Sequence, residues 1–118
     1  PYTQQVFDAF GIGEIHCHSA GPHVVPEFLK LKRVRQIQIV ADPNTARPVD
    51  ILEGLIDRHP ELFGRTPGFP VLSVDATADE IVEHYDLCRR VRVIFSVVTD
   101  EAAESNDAVR RFRSRQSL

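Results

Sequence analysis

Two histidines one residue apart, His16 and His18, are the residues whose types and spacing are best suited to chemistry in this chain. They end a short apolar run, and a glycine turn follows at Gly21. Because side chains alternate along a strand, both histidines should face one side of a sheet, and Cys17 should face the other. Such a pair can bind one metal ion or one anionic substrate group. The structural alternative is that one ring caps the strand and the other is a hydrogen-bonded core residue.

The elements that must position this pair alternate between strand and helix patterns. An initial helix over 2–10 is followed by strands predicted over 14–17, 34–41, 71–74 and 91–98. Each strand precedes a helix, and the helix starts are predicted at Pro22, Pro48, Thr77 and Asp100, with Glu80 completing a capping box at Thr77. The strand over 34–41 should end in a turn at Asp42-Pro43-Asn44. The pattern predicts an α/β fold in which the short first helix precedes four βα units that share a parallel sheet.

For two of the predicted helices, the spacing also indicates which residues face the core. The helix after Thr77 should run unbroken to Cys88, with Ile81 and either His84 or Tyr85 on its buried stripe. The final helix should bury Val109 and Phe112.

In a parallel sheet, ligands bind at the carboxyl ends of the strands. The residues predicted at those ends are His18 with Ser19, then Asp42, Asp75, and Thr99 with Asp100. Asp42 and Asp75 are therefore candidate catalytic residues. Aspartate at a strand end also caps helices or forms turns, and that structural role is the alternative for each.

Length and composition exclude several classes of protein. The 118 residues predict a single domain over 1–118, with 42% hydrophobic and 26% charged residues. A net charge of -3 with interspersed signs does not favour a nucleic-acid partner, and no apolar run is long enough to span a membrane. Two cysteines, Cys17 and Cys88, are too few for a disulfide framework, which favours the cytoplasm. The chain contains no methionine, so it does not begin with one, and it begins within a predicted helix, which suggests a piece of a longer protein.

Five segments of the chain together carry a resemblance to a known family. They are PYTQQVFDAFG, EIHCHSAG with PEFLKL, IQIVADPN, VLSV after a GFP loop, and ESNDAVRRF. In order and spacing they resemble the C-terminal half of the uroporphyrinogen decarboxylase superfamily, which includes corrinoid-linked and cobalamin-independent methyltransferases. The resemblance implies half of a (β/α)8 TIM-type barrel, with the last four units present. It also implies decarboxylation of a porphyrinogen-type substrate or methyl transfer to a thiol.

The resemblance gives the histidines two different roles. In the methyltransferase branches a His-x-Cys pair and a last-strand cysteine hold a zinc ion; His16 matches the histidine, His18 replaces the first cysteine, and Ser96 stands near the second. Zinc is therefore a possible cofactor, with His16 and His18 as ligands, although serine is a poor ligand. The decarboxylase branch needs no cofactor. Its arginines and aspartate belong to the N-terminal half, so His16, His18 and Ser96 would line the small-molecule substrate pocket here.

Two other functions stay open. A metal-dependent hydrolase also ends its first barrel strand in His-x-His, but it usually places another histidine after the second-strand aspartate, where Pro43 stands. The non-enzymatic alternative is a folded half-barrel fragment. Its two open sheet edges predict either a homodimer or association with the missing N-terminal half.

Overall fold

Four parallel strands form one sheet in the computed structural model, which describes residues 4–5, 8–9, 11, 13–18, 21–97 and 102–116. The strands are β1 (Gly13–His18), β2 (Val34–Val40), β3 (Val71–Ala76) and β4 (Val93–Val97). They lie side by side in chain order, and each neighbouring pair is parallel. The predicted α/β class and parallel sheet are confirmed.

Among the described residues, five α-helices connect or follow the strands. They are α1 (Val25–Leu29), α2 (Pro48–Arg58), α3 (Ala78–Glu83), α4 (Leu87–Arg90) and α5 (Ala102–Gln116), with short 3₁₀ helices at Pro22–Val24 and Pro60–Leu62. The described residues of the predicted first helix, 4–5 and 8–9, are also helical. No helix within the described part of the chain is long and apolar enough to cross a membrane.

The start of α3 confirms the predicted capping box. The Thr77 hydroxyl accepts a hydrogen bond from the Glu80 backbone N–H at 3.2 Å, and the Glu80 carboxylate accepts one from the Thr77 backbone N–H at 2.9 Å. These two bonds satisfy N–H groups that have no partner within the helix. The predicted helix start at Asp100 lies outside the described residues.

The prediction of one continuous helix from Thr77 to Cys88 is wrong, because the chain turns between α3 and α4. His84 leaves helical geometry, with φ -106° and ψ 23°, and its Nδ1 lies 2.9 Å from a carboxylate oxygen of Glu53 on α2. Its side chain is only 12% exposed. The break therefore coincides with a contact between His84 and Glu53, and the spacing of apolar residues in the sequence does not predict that contact.

The sheet has one helix-covered face, which forms the core together with residues from the helices. The strand residues on this face are buried or packed against the core: Ile15, Cys17, Ile37, Ile39, Leu72, Val74, Ala76, Val93, Phe95 and Val97. Side chains from α1 to α5 complete the cluster, including Val25, Leu52, Ile81, Leu87 and Ala108. Burial of these apolar side chains is the main stabilising contribution to the fold.

Of the two residues predicted to be buried on α5, Val109 and Phe112, only Phe112 packs against the core. Phe112 packs against the core, with its ring centroid 5.3 Å from that of Tyr85 and 6.3 Å from that of Phe95. Val109, in contrast, is 46% exposed, and Ala108 is the buried residue. Ala108 and Phe112 are four residues apart and so share one helix face, which turns Val109 away from the core.

The opposite side of the sheet, called here the open face, is covered by none of the described helices. Its apolar members are Val40, Val71 and Ile94, and its polar members are Glu14, His16, His18, Gln36, Gln38, Ser73, Asp75 and Ser96. Parallel strands are normally buried on both faces and read as continuous apolar runs. The polar alternation therefore identifies the open face as the part of the sheet that is free to hold functional groups.

Candidate functional site at the carboxyl edge of the sheet

His16 and His18 contact each other at the end of β1. Their Nε2 atoms are 3.1 Å apart, a hydrogen-bond distance, and the two rings meet edge to face with centroids 4.8 Å apart. Both residues are exposed on the open face, as the alternation along the strand predicted. The structure therefore joins the two predicted residues into one unit.

The outer nitrogen of each ring also has an oxygen partner. His16 Nδ1 lies 2.8 Å from Oε1 of Gln38, which is directly opposite on β2. His18 Nδ1 lies 2.8 Å from Oδ1 of Asp42, in the turn after β2. The His18 side chain is 55% exposed and that of Asp42 is 24% exposed. The four side chains form a continuous hydrogen-bonded relay, Gln38–His16–His18–Asp42.

A tight turn holds Asp42 beside His18. Asn44 adopts a left-handed backbone conformation, with φ 59°, which asparagine tolerates better than most residues. The Thr45 hydroxyl donates to the Asp42 carbonyl at 2.9 Å, closing the turn. The sequence Asp42-Pro43-Asn44 thus has the turn predicted for it, and the turn places the carboxylate at the carboxyl edge.

Asp75 supports this loop from the neighbouring strand. Its Oδ2 accepts a hydrogen bond from the Ala41 backbone N–H at 3.0 Å, immediately before Asp42. Both predicted aspartates line a small cavity of about 210 Å³. The geometry gives Asp42 a direct contact with His18, whereas Asp75 fixes the backbone that positions Asp42.

The cavity also contains Arg47, whose charge is already matched by carboxylates. Its guanidinium donates to Asp50 at 2.7 Å and lies 3.4 Å from Glu80. The hydrogen bond from Arg47 lowers the pKa of Asp50 below its ordinary value. Arg47 is thus engaged by carboxylates of α2 and α3, so this half of the site has little positive charge to attract an anionic substrate.

Ser96 lies elsewhere on the open face. It pairs with Asp75 across the β3–β4 ladder, and it is half-buried. Two strands separate β4 from β1, which corresponds to about 14 Å between Ser96 and the histidines. The structure therefore does not bring Ser96 to the histidine pair. Ser19, Thr99 and Asp100, also predicted at strand ends, lie outside the described residues.

The donor set does not fit the zinc site that the resemblance implies. Catalytic zinc generally has three protein ligands, and within the described residues no three His, Cys, Asp or Glu side chains are placed to hold one metal ion. Cys17 is buried on the helix-covered face, where burial raises the pKa of its thiol, and Cys88 is likewise a free cysteine in the α4 helix. His16 and His18 provide two imidazole nitrogens, and these face each other.

Gln38 is the member of the relay that the sequence analysis missed. The signal was present in VRQIQIVA, where glutamines alternate with isoleucines in a strand that is central to a parallel sheet. A strand covered on both faces would be apolar throughout, so the alternation indicates a polar face. Its contact with His16 requires the β1–β2 register, which the sequence does not contain.

The comparisons with known proteins identified no related family or structure. A scan against protein-family models, a search of curated proteins and a search of solved structures each found no match.

Proposed function

We propose that this chain is the C-terminal half of a (β/α)8 barrel enzyme similar to the uroporphyrinogen decarboxylase superfamily, and that the His16–His18 pair donates the proton in a decarboxylation. The observation that supports this most is the relay itself. Two imidazoles share a hydrogen bond at the carboxyl edge, and one of them is bonded to Asp42. A carboxylate on one ring nitrogen orients an imidazole and stabilises its protonated form, as an acid–base group requires.

The sheet topology supports the barrel. A sequential strand order with every neighbour parallel is what one half of a closed (β/α)8 barrel would show. In such a barrel the helices lie outside and the open face lines the interior. The polar open face and the core on the opposite face agree with that arrangement.

The reaction balances with one proton. In an acetate side chain attached to a pyrrole, the C–C bond to the carboxylate breaks and CO₂ leaves. The electron pair stays on the carbon next to the ring, and a proton from the histidine pair forms the new C–H bond of the methyl group. Water then reprotonates the pair. General acid catalysis of this kind commonly contributes about 100- to 10,000-fold to the rate.

The other half of the barrel would supply the positively charged substrate-binding residues that this half lacks. Arg47 is engaged by carboxylates, and Asp42 and Asp75 are acidic, so a polycarboxylate substrate needs cations from elsewhere. The resemblance places the substrate-binding arginines in the N-terminal half, contributed either by the same polypeptide or by a partner. Two free cysteines favour a reducing compartment such as the cytoplasm.

The test is CO₂ release from a reduced porphyrinogen, using the polypeptide as expressed from its own gene. We expect His16→Gln and His18→Gln each to lower the rate by at least about 100-fold. The matched control is His23→Gln, an exposed histidine outside the relay, which should keep the full rate. Circular dichroism checks that each variant is folded.

Three results would overturn the proposal. They are no CO₂ release by the wild-type polypeptide, an undiminished rate in both relay variants, or the same loss in His23→Gln. Light scattering tests the barrel separately. A polypeptide of this length that stays monomeric at high concentration would contradict the need for a second half.

A further inference from the structure

An apolar groove runs between β4 and α5 at the edge of the sheet. It has a volume of about 390 Å³, and Ile81, Phe95 and Phe112 are among the side chains that line it. Ile94 of β4 and Val109 of α5 also line the groove. These two are the large hydrophobic residues that the described part of the chain leaves exposed, at 50% and 46%. None of the described residues therefore covers this apolar surface.

The other helices show which element belongs in such a groove. The helix α1 follows β1 and contacts β2, and α2 follows β2 and contacts β3. Each of these helices thus lies against the strand that comes after it in the sheet. The helix α5 follows β4, which is the last strand of the sheet. The repeat therefore predicts one more parallel strand beside β4, with apolar side chains facing α5.

Strand β1 has the properties required of that occupant. Among the described residues β1 pairs with β2 alone and β4 pairs with β3 alone, so each has an outer edge of unpaired backbone groups. Ile15 and Cys17 of β1 face the helix-covered side, which is where the groove needs apolar side chains. Since β2 and β3 separate β1 from β4 within one sheet, the β1 that fills the groove belongs to a second copy of the chain.

The two outer edges also have opposite charges at their amino ends. Glu14 is exposed near the start of β1, and Arg92 directly precedes β4. The Arg92 guanidinium donates to the Phe69 carbonyl, and its buried Nε has no hydrogen-bond partner among the described residues. A junction between β4 of one copy and β1 of another places the two charges at the same end of the interface, which favours this pairing.

We propose that two copies of this chain pair β4 of each with β1 of the other, about a two-fold axis along the barrel, and so close a barrel of eight parallel strands. Eight is the number of strands at which side chains just fill a barrel interior. The inference rests on the half-barrel proposed above and not on the reaction. It also completes the site, because Ser96 of the second copy then lies on the strand next to His16 and His18.

The two junctions bury enough surface for a stable dimer. The five residues of β4 span about 17 Å, and a strand layer with a helix layer is about 20 Å deep, so each copy buries about 340 Å² at one junction. Over two junctions and two copies the buried area reaches about 1,400 Å², within the range of about 1,200–2,000 Å² for stable interfaces.

The first test is sedimentation equilibrium of the 118-residue polypeptide, which should have twice the mass of one chain. Two variants at exposed positions alter opposite edges: Val109→Glu places a charge in the groove, and Glu14→Lys reverses the charge near the start of β1. Each should raise the dissociation constant of the dimer at least about 10-fold. The matched controls are Arg110→Glu on α5 and Glu27→Lys on α1, which lie outside the junctions and should dissociate as the wild type does.

A mixture of the two edge variants tests which edges meet. A mixed dimer of Val109→Glu with Glu14→Lys keeps one unaltered junction, so the mixture should associate more tightly than either variant alone. Four results would overturn the proposal: a monomeric wild type, association that continues beyond two chains, a mixture no tighter than its components, or a dimer that Glu14→Lys does not weaken. The last result would mean that two β4 edges meet each other.

Hydrogen exchange gives a second measurement that needs no variant. Backbone amides of β1 and β4 should exchange more slowly as the concentration rises through the dissociation constant, while those of β2 and β3 should not change. Exchange in β1 that is independent of concentration would contradict the β4–β1 junction. None of these measurements follows CO₂ release, so a dimer that releases no CO₂ would refute the proposed reaction alone.

Discussion

The two faces of the sheet are built from alternating residues of the same strands, yet they have different roles. On β2, Ile37 and Ile39 are fully buried beneath the helices, while Gln36 and Gln38 lie on the open face between them. The helix-covered face contributes the apolar burial that stabilises the chain. The open face contributes the hydrogen-bonded histidines. Changes on one face should therefore affect stability, and changes on the other should affect the relay.

The largest expected effect is on stability and comes from adjacent residues of β2. Ile39→Ala should lower the free energy of unfolding by about 2–5 kcal/mol, because it leaves a cavity in the core. Gln38→Ala should cost at most about 1 kcal/mol, since it loses one hydrogen bond on the open face. Urea denaturation of both variants measures the difference. Equal losses would show that the two faces do not differ as described.

A smaller effect is expected at the contact between α2 and the turn after α3. His84→Leu should lower the free energy of unfolding by about 1–3 kcal/mol, because Glu53 loses its partner and the turn loses its anchor. His23→Leu, at an exposed position, should stay within about 0.5 kcal/mol of the wild type. If the two leucine variants are equally stable in urea, the turn is not held by His84.

The smallest effect concerns the capping box of α3. Thr77→Ala should cost about 1 kcal/mol, because the Glu80 backbone N–H loses its acceptor. Thr77→Ser keeps a hydroxyl and should retain most of that stability. Thermal melting of the pair resolves the difference, and a serine variant as unstable as the alanine variant would argue against the cap.

Much of the fold could be predicted because its signals are local. The Pro48 helix start, the Thr77–Glu80 box and the turn at Asp42-Pro43-Asn44 depend on neighbouring residues alone, and the structure shows all three. The break after α3 could not be predicted, since it accompanies a contact with Glu53, 31 residues away in the chain.

The candidate site was predictable only in part. Strand alternation was enough to place His16 and His18 on one face, and parallel topology was enough to bring Asp42 to their edge. The partner of His16 depends on which residue of β2 lies opposite, and the sequence pattern does not fix that register. The resemblance, not the strand pattern, grouped Ser96 with the histidines, although two strands separate β4 from β1.

The most direct test of the account is whether His16 and His18 act as one unit. A double-mutant cycle on the rate of CO₂ release would compare His16→Gln, His18→Gln and the variant with both changes. Groups that act together give strongly non-additive losses, so we expect the double variant to be no slower than the slower single variant. Losses that multiply in the double variant would show two independent residues and would contradict a relay in which the two rings act together.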